Sequence, residues 1–296
     1  MIRNAVKQGP STIMVSLPSQ WVKKNNIVKG DPLYLEELDG SLILNTKQKA
    51  VESKEIALKI NTRKDYCPRL LTMPYLQGYD VIKVNFKDPA VLNEIEAEIK
   101  YLLGFEIITT TENSCVIKNI TNGIESEFDN MLNRMMNILF FLGKEISNYV
   151  KKDNYENILL LKSAEVESNK LSLLCRRMFN TKAVRGERNK LSLYTMVTLM
   201  EAIADEYRFI IEYLDENKPK LHNKTKKFLD EVNGIVKTFN KLFIKFDYST
   251  FVEFREQRQD IEKRKFKQLR NLSKDDVYIA HKLYNIMELV HHATYF

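Results

Sequence analysis

The spacing of apolar positions changes twice along the chain, and each change marks a different architecture. At the start the period is two: Arg3, Ala5 and Lys7 fall on one side of an extended segment, Ile2, Asn4 and Val6 on the other. Gln8-Gly9-Pro10-Ser11 is a turn by composition. Ile13, Val15 and Leu17 then alternate with Thr12, Met14 and Ser16 as a second strand, which Pro18 stops. Ser19 is placed to cap a short helix to Lys24, ended by Asn25-Asn26, and Lys29-Gly30-Asp31 turns into a strand from Leu33 to Glu37. Asp39-Gly40 is a hairpin signal, with Ser41 to Leu44 as the return strand. Residues 3 to 44 thus read as paired hairpins around a one-turn helix. About forty residues cannot enclose a core, so this unit needs a partner.

A short charged linker over residues 46 to 54 leads into alternating strands and helices. Ile56 to Ile60 is strand-like, Asp65 is expected to cap a helix to about Gln77, Asp80 to Phe86 is an apolar strand, and Pro89 to Leu103 is an amphipathic helix. Phe105 to Thr111 and Cys115 to Lys118 close this part as a pair of strands. From Gly123 onward the period is helical, with breaks at Asp153-Asn154, near Gly186, at Lys218-Pro219, near Tyr248-Ser249 and at Ser273. Six helices are predicted, over 124–152, 155–182, 188–217, 220–247, 250–271 and 274–295. Their short joins favour antiparallel neighbours, as a bundle of two halves or a stack of pairs. The expected fold class is multidomain α+β, in parts 1–46, 55–119 and 123–296.

Composition narrows the function. A length of 296 residues with 44% apolar content supports two or three real cores. The chain has neither a long apolar run nor a signal-like start, so a cytoplasmic protein without a membrane span is expected. Cys67, Cys115 and Cys175 are odd in number and far apart, which argues against a disulfide framework or zinc ribbon and for buried thiols. A net charge of +7 fits a polyanionic partner, and its distribution is more telling. The first thirty residues carry Arg3, Lys7, Lys23, Lys24 and Lys29 and no acid. The lysines of residues 218–245 read as the solvated face of a long helix. With no Gly-rich phosphate loop, HExxH or nucleophile elbow, catalysis is not expected.

The Arg3 to Lys7 strand, Ser11, Val15-Ser16-Leu17-Pro18, Trp21-Val22-Lys23-Lys24, Lys29-Gly30-Asp31 and Asp39-Gly40-Ser41-Leu42 together resemble the swapped-hairpin DNA-binding domain of the AbrB (SpoVT-AbrB) family. The likeness is to the form fused to archaeal phosphate-uptake regulators. It implies that two chains interleave their hairpins into one small β-barrel, with Trp21 as a core anchor. It also implies a DNA-binding face in which Arg3 and Lys7 meet phosphates or base edges and Gln8, Ser11, Lys23 and Lys24 support them. Tyr75-Leu76-Gln77-Gly78-Tyr79-Asp80-Val81-Ile82 resembles the corresponding part of those regulators, and the six helices resemble their PhoU domain.

That resemblance implies acidic Glu-x-x-x-Asp pairs able to hold a divalent metal or iron. Glu201 with Asp205 and Glu256 with Asp260 fit the pattern; Glu165 is followed instead by Asn169, and the last helix offers Tyr284 and Glu288. At about 100° per residue, Leu193, Met196, Met200, Ile203, Tyr207 and Leu214 define the buried side of the third helix, with Glu201 and Asp205 pointing away from it. Glu165 and Asn169 likewise lie opposite Leu160, Leu171, Leu174 and Met178. Carboxylates at i and i+4 repel by roughly 0.2–0.5 kcal/mol, which a cation or Arg208 would relieve; a solvated acidic face is the other reading. His281, Asn285, Glu288 and His292 form a stripe on the last helix, too extended for one ion without help from another chain.

These features lead to the expectation of a homodimeric DNA-binding regulator of phosphate uptake, with the helical domain as sensor or relay and higher oligomers adding avidity. The alternative is an adaptor whose bundle contacts a transporter ATPase or sensor kinase, with the N-terminal unit serving to dimerise.

Overall fold

The computed structural model describes residues 2–38, 41–46, 53–121, 127–181, 190–268 and 272–294. Asp39-Gly40, the break near Gly186 and most of the 46–54 linker lie outside them. The chain separates into a small unit, Met1–Glu52, and a large one, Ser53–Phe296.

In the small unit β1 (Val6–Gln8) pairs antiparallel with β2 (Thr12–Met14), α1 spans Ser19–Lys24, and β3 (Tyr34–Leu38) pairs with β4 (Ser41–Asn45). The single chain forms separate two-stranded sheets and no closed barrel among the described residues. Two boundaries differ from expectation. The first ladder begins only at Val6, leaving Arg3 ahead of it, because residues 2–5 have no partner strand among the described residues. Ser19 is the first helical residue and Pro18 is the N-cap, with φ −62° and ψ 126°; proline's fixed φ suits that position, and no side-chain cap bond forms.

The large unit opens with a four-stranded sheet in the order β5-β6-β8-β7, built from β5 (Glu55–Ile60), β6 (Val81–Phe86), β7 (Phe105–Thr110) and β8 (Ser114–Asn119). β5 and β6 are parallel across α2 (Arg69–Leu76), and β8 is antiparallel to both β6 and β7. Ile82, Val84 and Phe86 point to one face, where Leu71 and Tyr75 of α2 and Val91 and Ile95 of α3 (Ala90–Ile99) cover them; Lys83 and Asn85 stay exposed. Asp65 does not cap α2. It is the third residue of a short 3-10 turn, Arg63–Asp65, and bonds back to the N-cap Thr62. Pro68 explains the break, since the residue before a proline disfavours helical backbone. α3 ends four residues before the expected Leu103, where Tyr101 and Leu102 close tighter turns onto Glu98 and Ile99 ahead of Gly104, φ +88°.

Six helices follow among the described residues: α4 (Phe128–Lys152), α5 (Lys162–Asn180), α6 (Lys190–Asn217), α7 (Asn223–Ile244), α8 (Tyr248–Gln268) and α9 (Lys274–Ala293). A 3-10 turn over Ile158–Leu161 takes the place of the first turn expected for the second helix. α6 packs on α4, α5 and α9, and α7 packs on α4, α8 and α9. Leu193, Met196, Met200, Ile203, Tyr207 and Leu214 are all buried in this core. α9 begins with a reciprocal cap between Ser273 and Asp276; buried Asp276 also accepts from Thr225 Oγ1 at 2.6 Å and His222 N at 2.9 Å, tying α9 to the start of α7.

Arg177 fastens sheet layer to helices. Its guanidinium donates to Tyr75 O at 2.6 Å, Tyr79 O at 2.8 Å and Asp80 Oδ1 at 2.7 Å, and lies about 5 Å from the centroids of Tyr75 and Phe105.

Candidate nucleic-acid interface

The N-terminal cations gain their positions from very little structure. Gly9, at φ +77°, permits the tight return from β1 to β2. The resulting register sets Lys7 opposite Ile13 and Gln8 opposite Thr12, so Lys7 and Gln8 project from opposite faces of the hairpin. Ser11 stands in the turn itself. Lys23 and Lys24 occupy the last turn of α1, where they also complement the exposed carbonyl end of the helix. Asn25 caps that end by donating to Trp21 O at 2.8 Å, and Asn26 turns the chain with φ +52°. Asp31 is used locally, accepting from Val28 N at 2.8 Å.

Arg3, Lys7, Lys23, Lys24 and Lys29 are all exposed. None of their side chains forms an ion pair or hydrogen bond among the described residues. A cation with no internal partner is available to a phosphate, and neutralising phosphates releases counterions from the duplex.

Apolar residues show the same lack of internal partners. Not one residue of the small unit with a described side chain is buried, and Val6, Ile13, Val15, Val28, Leu35 and Leu42 are each more than half exposed. Trp21, the expected core anchor, is only half-buried within one chain, and α1 contributes no buried residue.

Glu165 and its neighbours behave differently from a solvated face, whereas Glu256 and Asp260 are exposed. Glu165 is buried between α5 and α6, accepting from Asn169 Nδ2 at 2.6 Å with Arg208 Nε 3.4 Å away. Burial raises its carboxyl pKa, against the pull of Asn169 and Arg208. This corrects the single-face wheel: α5 packs both on α6 and on the sheet layer through Leu173 and Arg177, so it has more than one inward side. Arg208 also pairs with Asp205 at 3.2 Å and Glu212 at 3.2 Å, and Lys162 reaches Glu212 at 2.7 Å. Asp260 pairs with Arg264 at 2.7 Å, and Glu256 is exposed. On the last helix Asn285 donates to Glu206 at 3.3 Å and Glu288 meets Arg258 at 3.2 Å, while His281 is exposed. Among the described residues, no group of three or more His, Cys, Asp or Glu is placed to hold a metal ion. Around Glu165, Asn169 turns its amide donor toward the carboxylate, and Arg208 supplies the positive charge. Arg208 is the residue the sequence offers as a relief for these acids; Arg177 carries a weaker signal, an arginine set between buried Leu174, Cys175 and Met178.

No helix among the described residues is long and apolar enough to cross a membrane. No curated protein and no solved structure matches the chain. Residues 6–53 match the family model described as "Antidote-toxin recognition MazE, bacterial antitoxin", so the small unit is similar to a MazE/AbrB-like domain.

Proposed function

We propose that the chain is a DNA-binding transcriptional regulator acting as a homodimer through its small unit. One observation carries this reading: in a unit similar to the MazE antitoxin model, Arg3, Lys7, Lys23, Lys24 and Lys29 are exposed with no partner among the described residues, and no apolar side chain described there is buried. A second copy would supply the missing interior, and pairing would double the cationic surface along a two-fold operator. Arg3 and Lys7 are assigned to phosphates or base edges, with Gln8, Ser11, Lys23 and Lys24 around them. The six-helix part is assigned the role of sensor or relay. Its resemblance to PhoU and the Tyr75–Ile82 segment support phosphate uptake as the regulated process, and the mechanism would be a shift in the geometry or occupancy of the paired heads.

The matched family's description also names toxin recognition, which favours a second reading: the small unit dimerises chiefly to engage a protein. In that adaptor form the helices would contact a transporter ATPase or sensor kinase.

A salt titration of duplex binding separates these readings. The regulator binds with a steep negative slope of log affinity against log salt, and Lys7→Ala or Arg3→Ala flattens it by about one phosphate each, a slope change of about 0.9. Absent binding at low salt, or indifference to both changes, favours the adaptor. Selecting bound genomic fragments with the purified protein tests the phosphate assignment, through enrichment upstream of phosphate-transport genes.

A further inference from the structure

The joint between α7 and α8 combines two features that a solvated surface does not need together. Lys237, Lys241 and Ile244 lie within a narrow stripe of α7, opposite its buried side, and Lys245 is the C-cap of the helix. All three lysines are exposed, and none of their side chains forms an ion pair or hydrogen bond among the described residues. Beside them Ile244 is 71% exposed, Phe246 66% and Tyr248 75%. Phe251 joins them from the first turn of α8, its ring centroid 6.2 Å from that of Phe246. Lysines alone make an ordinary wet face. Four large apolar side chains held outside the core at the same place do not, because leaving them in water forfeits the gain of burial.

Charge restricts the occupant. Between Glu231 and Glu253 the chain carries these three lysines and a single acid, Asp247. Asp247 is taken up at the start of α8, where Thr250 N donates to its Oδ2 at 2.8 Å and the hydroxyls of Ser249 and Thr250 donate as well. The joint therefore presents apolar side chains with a positive collar. A second copy seated on the same patch about a two-fold axis would bring lysines against lysines, which disfavours self-pairing there. Duplex DNA would satisfy the lysines and leave Ile244, Phe246 and Tyr248 in water. A surface that is anionic outside and hydrocarbon beneath answers both sets at once, with lysines at headgroup phosphates and aromatic rings at the headgroup level. We propose that the joint of α7 and α8 docks peripherally on an anionic lipid bilayer, Phe246 and Tyr248 entering the interface and Lys237, Lys241 and Lys245 meeting the phosphates. Each lysine near such a surface contributes about fivefold in affinity, and the apolar cluster supplies the second signal that attachment needs. The contact lies on the membrane and does not span it. It goes beyond DNA binding and does not depend on it.

Co-sedimentation of the full chain with vesicles tests it, using phosphatidylglycerol and phosphatidylcholine in equal parts against phosphatidylcholine alone. Binding to the anionic vesicles is expected, with little to the neutral ones and a decline as salt is raised. Replacing Lys237, Lys241 and Lys245 together with alanine should lower the partition about a hundredfold. Phe246→Ser with Tyr248→Ser should lower it about tenfold or more. All five side chains are exposed, and circular dichroism verifies that the helices persist. The same arms in an Arg3→Ala, Lys7→Ala background separate the joint from the cations of the small unit, and duplex binding by the joint variants should stay at the parent level. Phe246→Trp reports insertion: bromine-labelled acyl chains should quench it beyond the level set by Trp21 in the parent. No binding of the parent to anionic vesicles overturns the proposal, as does binding that both sets of variants leave unchanged. Unquenched Phe246→Trp on bound vesicles overturns the insertion. A fall in oligomeric mass caused by Phe246→Ser and Tyr248→Ser without lipid overturns it in favour of an interface between copies. Failure of duplex binding, by contrast, would count against the regulator reading and leave the vesicle result standing.

Discussion

Replacing Arg177 with methionine tests the account of how the sheet layer is joined to the helices. Methionine keeps an apolar stem between Tyr75 and Phe105 and removes only the charged fork. Tyr75 O would retain Gly78 N at 3.1 Å, whereas Tyr79 O loses the guanidinium and Asp80 its counter-charge. Breaking one side of a buried ion pair costs about 3–5 kcal/mol. The Asp80 side chain is 27% exposed and also accepts from Lys54 N at 3.3 Å, so the cost here is reduced to about 2–4 kcal/mol. Urea unfolding of the full chain, followed by circular dichroism, measures the loss. Hydrogen exchange should show α2 and β6 losing protection while α6 keeps it. A cycle with Asp80→Ala should return a coupling of at least about 1 kcal/mol. A variant within about 0.5 kcal/mol of the parent, or a coupling near zero, refutes the reasoning.

Three further outcomes follow from the helical part. Because burial raises the Glu165 carboxyl in the folded state, the parent loses stability as pH rises from the ordinary carboxylate range through that raised value; Glu165→Gln should therefore raise the urea midpoint near neutrality, with the gain shrinking as pH falls through the raised value and vanishing once the ordinary carboxylate range is passed. Asp276 has the opposite sign: burial pushes its pKa up, but bonds from Thr225, Ser273 and His222 prevail and hold it below the usual range. Its contribution is complete above the ordinary value and is lost as pH falls through the depressed one, so Asp276→Asn should flatten the acid limb of a stability–pH curve and lower the midpoint at pH 7. Gly143→Ala gains about 1 kcal/mol of helix propensity, but the new Cβ would stand 2.3 Å from Asn233 Oδ1 and 2.8 Å from the Tyr207 hydroxyl. Thermal unfolding should show a net loss of about 1–3 kcal/mol, since Asn233 also donates to Gly143 O at 2.8 Å and cannot simply withdraw.

Local chemistry made much of this fold readable. Six helices were legible because a period near 3.6 repeats over many turns, and β6 was legible because Ile82, Val84 and Phe86 alternate with Lys83 and Asn85. The errors arose where a second partner intervened. A wheel drawn for α5 assumes one inward side; this helix has several neighbours, so Glu165 looked solvated and is buried. Asp65 looked like an N-cap until Pro68 divided the segment. The basic character of the first thirty residues was plain, but the extent of the strand carrying Arg3 depends on a ladder that one chain does not complete.

That no described side chain of the small unit is buried bears on how the protein would respond to its own abundance. The large unit has its core within a single chain, so its folding is first order in that chain. In the proposed homodimer the head would fold as it associates, and the folded pair would grow with the square of the free-chain concentration. Scarcity would then melt the heads while the bodies stay intact, making the quantity of protein itself a signal written into the fold.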